Sequence, residues 1–196
     1  MAVKNIAFPT SDSTARSLTV GEQVSISGTI ITARDHVHKH LFSGGKAPVD
    51  MKGIGIYHCG PVVLKKQDTW KVVAAGPTTS IREEPYEDYI IKTYRPCAII
   101  GKGGMGDKTL KAMADCGCVY LNVPGGAAQY LARCIRSIDG VYLMEFGPVE
   151  AMWVLQVEGL PALVTMDSHG DSLHTVVKND SHTRMKEVLD ITFNYD

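Results

Sequence analysis

Three times along this chain a short apolar segment ends in a glycine-rich turn, and this repeated arrangement limits the folds that the sequence can adopt. The turns lie at 76–82, 101–106 and 124–127 and read GPTTSIR, GKGGMG and PGGA. Short apolar segments bounded by glycine are typical of strands that are buried on both faces of a parallel sheet. In such a sheet the carboxyl ends of the strands share one edge, where ligands bind. The sequence therefore predicts an α/β fold in which the three turns meet.

The segments between the turns alternate between strand-like and helix-like patterns. The first half is predicted to contain strands at 24–31, 55–58 and 71–75, and a short helix from Asp35 to Leu41. Beyond residue 84 the patterns predict helices at 85–94, 107–116, 127–138 and 180–189, and strands at 97–100, 118–123, 141–146, 152–157 and 162–166. This order favours a single domain, residues 1–196, with a mixed, largely parallel sheet in a three-layer β/β/α arrangement.

The charge balance and the cysteines limit the partners and the compartment. Twenty lysines and arginines against 21 aspartates and glutamates give a net charge of −1, so no basic surface for nucleic acid or an anionic membrane is expected. No apolar stretch approaches the roughly 18 residues of a membrane span, and the first 17 residues lack a secretory signal pattern. The five cysteines are an odd number without a Cys-x-x-Cys pair, which is typical of reduced thiols. We therefore expect a cytoplasmic protein.

The glycine-rich turns, with two cations beside them, predict a site for a small anion. Backbone N–H groups at a helix N-terminus carry partial positive charge and suit a carboxylate or a phosphate. Arg82 and Lys102 add full positive charges, and an arginine can hold a carboxylate through two parallel hydrogen bonds. The alternative interpretation, that the three segments are only tight turns, stays open at this point.

The middle turn matches two nucleotide-binding patterns in part. Gly101, Gly103 and Gly106 fit G-x-G-x-x-G, but a dinucleotide site also needs an acidic residue at the end of the next strand. That strand ends in Pro124 and a glycine, so a nicotinamide dinucleotide is disfavoured. Lys102 is followed by glycine instead of serine or threonine, which excludes a Walker A loop.

Three further groups resemble chemical sites less closely. His36, His38 and His40 alternate, but their segment is predicted to be helical and has no carboxylate or cysteine at ligand spacing. The Cys-x-Cys pair at 116–118 lacks the further ligands of an iron–sulfur cluster. The DSH sequence at 167–169 lacks the strained turn that would expose a nucleophile. We therefore predict no metal site on this chain.

Several motifs, in order along the chain, resemble one enzyme family. They are TARD at 32–35 with His38, IYHCGP at 56–61, GPTTSIR at 76–82, GKG at 101–103, GGAA at 125–128, EAMW at 150–153 and DSHGD at 167–171. They extend from about residue 18 to residue 174 and resemble the β region of the iron–sulfur hydro-lyases, the class I fumarate hydratases and L(+)-tartrate dehydratases. In some members this region is part of a longer chain. In others it is a separate β subunit, which this chain resembles.

The resemblance implies a fold, a cofactor and a partner. The fold would be a swivelling β/β/α domain. The cofactor would be a catalytic [4Fe–4S] cluster that three cysteines of a separate α subunit hold, and its open iron would act as a Lewis acid on the substrate hydroxyl. The cysteines of this chain would therefore not ligate it. The expected assembly with the α subunit is a symmetric α2β2 hetero-oligomer, and the chain alone is expected to be able to form a homodimer.

The resemblance also implies roles for six residues. The base at the carbon that loses a proton would be Thr78, and the substrate would be bound by Arg34, Arg82, Lys102, Gly76 and Gly126. Removing a proton next to a carboxylate builds negative charge on that carboxylate, which fixed cations stabilise. A threonine hydroxyl is a poor base and needs activation. A turn hydroxyl at Thr78 and a structural salt bridge at Arg34 stay open as alternatives.

Two substrates and one function without catalysis also remain open. We favour the reversible hydration of fumarate to L-malate, as the more general metabolic need. The first alternative is the dehydration of L(+)-tartrate to oxaloacetate, because both substrates are small dicarboxylates. The second alternative is a module that binds a dicarboxylate without chemistry.

Overall fold

The computed structural model describes residues 2–67 and 69–193, and their side chains as far as residue 189. The strands are β1 (Lys4–Phe8), β2 (Gln23–Thr32), β3 (Gly55–Tyr57), β4 (Val62–Lys66), β5 (Thr69–Ala74), β6 (Ala98–Gly101), β7 (Val119–Asn122), β8 (Ile135–Tyr142) and β9 (Met152–Met166). The helices are α1 (Asp12–Arg16), α2 (Asp35–Phe42), α3 (Glu84–Tyr94), α4 (Asp107–Cys116), α5 (Ala128–Arg133) and α6 (Leu173–Phe193), with 3₁₀ turns at Ser80–Glu83 and Met144–Phe146.

The main sheet has the strand order β1-β2-β3-β6-β7-β9-β8. The first five of these strands run parallel to one another, whereas β9 is antiparallel to each strand with which it pairs. Because β9 pairs with β2 as well as with β7, strands β2, β3, β6, β7 and β9 close into a barrel-like circuit. Strands β4 and β5 form a separate antiparallel hairpin.

The closure requires long strands that bend. The pairing of β2 with β9 shifts in register between Ile26 and Gly28, and such an irregularity bends a strand and increases its twist. Gly28 has a φ of +91°, and a Cβ added there would lie 2.0 Å from the carbonyl oxygen of Phe8. Only glycine therefore lets β1 approach β2 at the bend.

Apolar side chains cover both faces of the sheet, which explains the continuous apolar runs in the sequence. Successive residues of a strand point to opposite faces, and Ile30 and Ile31 accordingly belong to two different clusters of buried residues, as do Ile99 and Ile100. The cluster of Ile31 and Ile99 also contains buried side chains of α2, α3 and α4. These three helices therefore cover one face of the sheet.

The sequence-based prediction of an α/β class is confirmed as a mixed α/β fold with a mixed sheet. The bounds of α2, α3, α4, β6 and β7 agree with the predicted bounds to within one residue at each end. The barrel-like closure was not part of the prediction. Among the described residues, no helix combines the length and the apolar composition that crossing a membrane requires.

Several predicted elements were wrong in their bounds. The helix predicted at 127–138 ends at Arg133, and Ile135–Tyr142 forms β8, because pairing with β9 outweighs local helix propensity. The strand predicted at 141–146 accordingly ends at Tyr142. The two strands predicted at 152–157 and 162–166 are one strand, β9. The last helix begins at Leu173 instead of residue 180, because its largely exposed surface has no apolar period that marks a start.

Candidate active site at the carboxyl ends of the strands

Parallel strands of the barrel-like circuit end at one edge, and the predicted site residues follow these ends. Strand β2 ends two residues before Arg34, and β6 ends directly before Lys102. Strand β7 ends at Asn122, and the glycine turn with Gly126 follows it. The parallel pairing therefore brings together segments that are far apart in the sequence.

The turn that carries Thr78 crosses this edge between two neighbouring strand ends. Pro77 forms an isolated antiparallel bridge with Cys59, just beyond β3, and Thr79 forms a parallel bridge with Lys102, just beyond β6. The N–H of Ser80 donates a hydrogen bond of 3.1 Å to the Lys102 carbonyl and so continues the second bridge. These bonds place Thr78 and Lys102 at adjacent positions of the same edge.

Both polar groups of Thr78 bond to the backbone carbonyl of His58. The N–H of Thr78 donates to this oxygen at 2.7 Å, and the Oγ1 hydroxyl donates to it at 3.0 Å. No other described residue donates a hydrogen bond to Oγ1. Thr78 is half-buried, and the lone pairs of its Oγ1 are available for a ligand.

Of three glycines at this edge of the sheet, two permit close packing and the third permits a backbone turn. A Cβ added at Gly101 would lie 2.0 Å from the Ser80 Oγ, and one added at Gly76 would lie 3.0 Å from the Cβ of Ala128. Gly126 has a φ of +79° with no atom within 4 Å of an added Cβ, so its glycine serves the backbone turn. Gly76 thus packs against α5, while Gly126 lies exposed before it.

The three predicted substrate-binding cations differ in their partners. The Arg34 Nη1 lies 3.1 Å from Glu150 Oε1, and both side chains are mostly buried. The exposed Arg82 forms an ion pair with Asp35 at the start of α2. The ammonium of Lys102 has no hydrogen-bond or ion-pair partner in the described part of the chain. Lys102 is therefore the cation that is available to an incoming anion without displacing a partner.

A buried network of side chains lies beneath the turn. Oε2 of Glu87 is 3.0 Å from Nε2 of His38 and 3.1 Å from Nε2 of His58. Nδ1 of His58 bonds to the Ser80 Oγ at 2.9 Å, and the hydroxyl of Tyr120 donates to the same oxygen at 2.7 Å. All five side chains are buried. Among the described residues, His38, His58 and Glu87 are also the group whose spacing could hold a metal ion, with ligand atoms within 4.8 Å of one another.

The charges in this network follow from burial and proximity. Burial opposes ionisation of Glu87, but the imidazoles of His38 and His58 outweigh it and lower the pKa of this carboxyl. Burial also opposes a charge on His38, but Glu87 and Glu83 raise its pKa above the ordinary range. For His58 burial dominates and lowers the pKa. At neutral pH the network therefore holds a carboxylate, an imidazolium at His38 and a neutral imidazole at His58.

One expected anion-binding position is filled by the chain itself. The carboxylate of Glu84 accepts hydrogen bonds from the Gly106 N–H at 2.7 Å, the Thr109 N–H at 3.2 Å and the Thr109 hydroxyl at 2.7 Å. These groups are the N-terminus of α4, where unpaired N–H groups attract anions. The N-terminus of α4 is thus occupied by Glu84.

The weaker candidates from the sequence turn out to be structural. On α2 the rings of His36 and His40 pack on Phe146, away from the buried His38. The carboxylate of Asp167 accepts the N–H groups of Val20, His169 and Asp171 at 2.9–3.1 Å, so the loop at 167–171 is ordered by its own hydrogen bonds.

The cysteines do not fit an iron–sulfur cluster. All five are buried and unpaired, and burial raises the pKa of the thiols of Cys59, Cys97, Cys118 and Cys134. A cluster needs thiolates that face one space. Cys97 and Cys116 line a shared surface cleft in the described part of the chain, whereas the other three cysteines do not line it.

Glu87, His58 and Ser80 were not predicted from the sequence as members of a network. One signal was available, because Glu87 precedes Ile90 and Ile91 by three and four residues and so lies on the buried face of α3. A carboxylate on an apolar helix face needs a buried partner. The identity of that partner depends on tertiary structure that local patterns do not contain.

The family model described as "Fumarase C-terminus" matches residues 2–177. The chain is 51% identical over 193 residues to "Putative fumarate hydratase class I" of Geobacillus stearothermophilus, a match that covers 98% of this chain and 37% of that protein. The chain therefore spans little more than about a third of the length of this relative.

Two further relatives have a length close to that of this chain. Identity is 41% over 180 residues with "Putative L(+)-tartrate dehydratase subunit beta" of Methanocaldococcus jannaschii, covering 89% of this chain and 92% of that protein. The chain is also 33% identical over 172 residues to "L(+)-tartrate dehydratase subunit beta" of Escherichia coli strain K12, a match that covers 87% of this chain and 86% of that protein.

Proposed function

Because this chain belongs to the fumarase C-terminus family, we propose that it is the β subunit of a hydro-lyase that reversibly hydrates fumarate to L-malate with a separate α subunit. The chain supplies the cations that bind the dicarboxylate and the residue that moves a proton. The observation that best supports this proposal is the position of Thr78 beside Lys102. Within the part of the chain that the structure describes, the Thr78 oxygen accepts no hydrogen bond and the Lys102 ammonium has no partner. Residues 1–196 act as one domain in this proposal.

Three cations bind the two carboxylates. Lys102 is available at once, while Arg34 and Arg82 are oriented by Glu150 and Asp35 and each retain further N–H donors for a ligand. A hydrogen bond between charged groups contributes roughly 1.5–3 kcal/mol. The glycines at 76 and 126 allow the backbone to approach the substrate closely.

Thr78 transfers the proton at the carbon next to a carboxylate. In the dehydration direction its Oγ1, having passed its own proton to an acceptor on the α subunit, takes the substrate proton, the C–H electron pair becomes the C=C bond, and the hydroxyl leaves the neighbouring carbon. The ammonium of Lys102 stabilises the alkoxide, and the cations stabilise the negative charge that develops on the carboxylate. The carbonyl of His58 aligns the Thr78 hydroxyl before the reaction.

The departure of the hydroxyl is assigned to the α subunit. Because the thiols of this chain do not fit a cluster, we assign the [4Fe–4S] cofactor to the α subunit, and no step on this chain depends on it.

The proposed assembly is α2β2 in the cytoplasm, and the chain alone can form a homodimer. Unpaired cysteines are typical of a reducing compartment and support this location. The chain moves in the assembly as a swivelling three-layer β/β/α unit, whose helices α2, α3 and α4 cover one face of its sheet.

L(+)-tartrate is the alternative substrate. The two relatives of similar length carry the name L(+)-tartrate dehydratase subunit beta, whereas the relative named fumarate hydratase has the higher identity. Both substrates present two carboxylates to the same cations. The choice between them therefore depends on the α subunit as well as on this chain.

The test is an anaerobic assay of this chain co-purified with its α subunit, beside each subunit alone. Fumarate hydration and tartrate dehydration are measured on the same iron-replete samples. We expect fumarate hydration by the pair only. Activity on tartrate alone would select the alternative substrate, and full activity of this chain by itself would contradict the two-subunit proposal. Saturable binding of a dicarboxylate by a pair without turnover on either substrate would identify a binding module.

A further inference from the structure

We propose that Glu87 is a positioning residue for the candidate active site, which it controls through His38 and His58. This inference rests on the proposed function, because it assigns Glu87 to the alignment of Thr78 and Arg34. Glu87 itself is fully buried and lies on α3, whereas the residues that it would align lie on two other segments.

The geometry centres on one carboxylate oxygen. Oε2 of Glu87 lies 3.0 Å from Nε2 of His38, with hydrogen-bond geometry, and 3.1 Å from Nε2 of His58. The second contact is close but poorly aligned, so Nε2 of His58 has no hydrogen-bond partner among the described residues. Each of the three side chains is at most 1% exposed. These contacts are therefore shielded from bulk solvent.

One arm of the network reaches Arg34. Nδ1 of His38 bonds to the Arg34 carbonyl at 3.0 Å, and the N–H of His38 donates to the same oxygen at 2.9 Å. Arg34 is the N-cap residue of α2, and its guanidinium bonds to Glu150. The His38 imidazole thus fixes the backbone that carries the first substrate-binding cation.

The other arm reaches the turn on both sides of Thr79. The His58 carbonyl accepts both hydrogen bonds from Thr78, and the His58 ring bonds to Ser80. Tyr120 donates to the Ser80 oxygen, so the Ser80 hydroxyl can donate to Nδ1 of His58. Nε2 of this neutral ring then carries the proton and faces the Glu87 carboxylate. The Glu87 carboxylate, 3.1 Å from this nitrogen, stabilises that tautomer and ring orientation electrostatically.

This arrangement distinguishes Glu87 from a carboxylate that only stabilises the fold. A structural role would change protein stability and leave the chemistry of correctly folded enzyme intact. A positioning role on Thr78 changes kcat in folded enzyme, because the reacting oxygen is displaced while Lys102 still binds substrate. On the other arm the Arg34 guanidinium keeps its own ion pair with Glu150, so substrate binding by this cation is largely retained.

The experiment compares Glu87→Gln with the native αβ enzyme by anaerobic kinetics. We expect kcat for fumarate to fall at least tenfold and KM to rise less than threefold. The variant should keep the native far-ultraviolet circular dichroism spectrum and should still co-purify with the α subunit. The matched control is Glu84→Gln on the same helix, whose carboxylate caps α4 and does not contact the network. Should Glu87→Gln fail to fold, Ser80→Ala tests the same arm, and we expect kcat to fall threefold or more.

Several outcomes would overturn the proposal. One is a folded Glu87→Gln enzyme whose kcat equals that of the native enzyme. Where Glu87→Gln does not fold, the same result in Ser80→Ala would overturn the proposal. Another is an equal loss of kcat in Glu84→Gln. One equivalent of zinc or another metal ion per native chain, absent from Glu87→Gln, would make the three residues a metal centre instead. An inactive native enzyme would overturn the proposed function and this inference together, whereas an active native enzyme with a normal Glu87→Gln variant overturns this inference alone.

Discussion

The Thr78 side chain and the Thr78 backbone share one acceptor, the carbonyl of His58, at 3.0 Å and 2.7 Å. The backbone bond holds the turn whether or not the hydroxyl is present. The hydroxyl can therefore be removed without losing the hydrogen bond that places residue 78 at the edge of the sheet. This separation makes Thr78 a suitable position for distinguishing chemistry from folding.

Thr78→Ala is expected to reduce kcat of the αβ enzyme by at least about 100-fold, the typical contribution of a positioned proton-transfer group. The KM for fumarate should change little, because the cations remain. Anaerobic steady-state kinetics measure both constants. Thr78→Ser keeps the hydroxyl and serves as the control, with a smaller loss. A native kcat in Thr78→Ala would remove Thr78 from the proposed chemistry.

Lys102→Met is expected to raise the KM for fumarate by roughly 10- to 100-fold, because it removes a charge-assisted hydrogen bond of about 1.5–3 kcal/mol. The ammonium of Lys102 has no partner within the described residues, so its loss leaves no buried carboxylate unpaired. Lys92→Met is the control, since Lys92 only forms an exposed ion pair with Asp88 on α3. The same KM for both variants would contradict the carboxylate-binding role.

The buried pair of His38 and Glu87 predicts a pH window for stability. Glu87 has a lowered pKa, so its contribution is present above its ordinary value of 4.5 and is lost as pH falls through the lower folded value. His38 has a raised pKa, so its contribution is present below its ordinary value of 6.5 and is lost as pH rises through the higher folded value. The free energy of unfolding lost in Glu87→Gln should be largest between these two ordinary values.

Chemical denaturation of the native chain and of Glu87→Gln at several pH values measures this difference. Removing one partner of a buried ion pair costs about 3–5 kcal/mol, and the loss should shrink on both sides of the window. Asp88→Asn, at an exposed position of α3, is the control and should change stability little at any pH. A loss in Glu87→Gln that is the same at every pH would contradict the assigned charges.

Gly101→Ala is expected to lower the free energy of unfolding by about 1–3 kcal/mol, the usual cost of crowding a packed site. The added Cβ would lie 2.0 Å from Ser80 Oγ and 2.9 Å from the Tyr120 hydroxyl. Gly125→Ala is the control, since its Cβ would meet only Lys102 Cδ at 3.8 Å. Thermal and denaturant unfolding measure both. Equal stability of the two variants would contradict the close approach at Gly101.

Replacing Cys97 and Cys116 together by serine is expected to leave the iron and sulfide content of the αβ enzyme unchanged. These two thiols line the same surface cleft, where a ligand could reach both. Metal analysis and visible absorbance of the anaerobic enzyme measure the cluster. Loss of iron in the double variant would contradict the assignment of the cofactor to the α subunit.

Local patterns predict some of these elements well and others poorly, for physical reasons. Helices α3 and α4 and strands β6 and β7 are marked by their own periodicity and by glycine or proline at their ends, so their bounds could be predicted. Strand β8 depends on pairing with β9, and the barrel-like closure depends on a bend in β2 near Gly28. Neither is encoded within a short window of sequence.

The candidate site likewise contains residues that local sequence patterns predict and residues that they do not. Arg34, Lys102 and the turn of Thr78 follow strand ends, and parallel pairing brings such ends together whatever the details of the fold. Glu87 and His38 are 49 residues apart in sequence and meet only when α2 and α3 pack on the sheet. The unpaired state of Lys102 and the occupation of the α4 N-terminus by Glu84 likewise depend on tertiary contacts.

The closed circuit of β2, β3, β6, β7 and β9 has a consequence for insertions and deletions. One residue added within any of its strands would turn the following side chains to the opposite face and displace that strand's end relative to its neighbours. The spacing between the cations would change with it. The β4–β5 hairpin lies outside the circuit, so its tip can gain or lose residues without altering that spacing. Length variation among functional relatives is therefore expected at this hairpin and not within the five strands of the circuit.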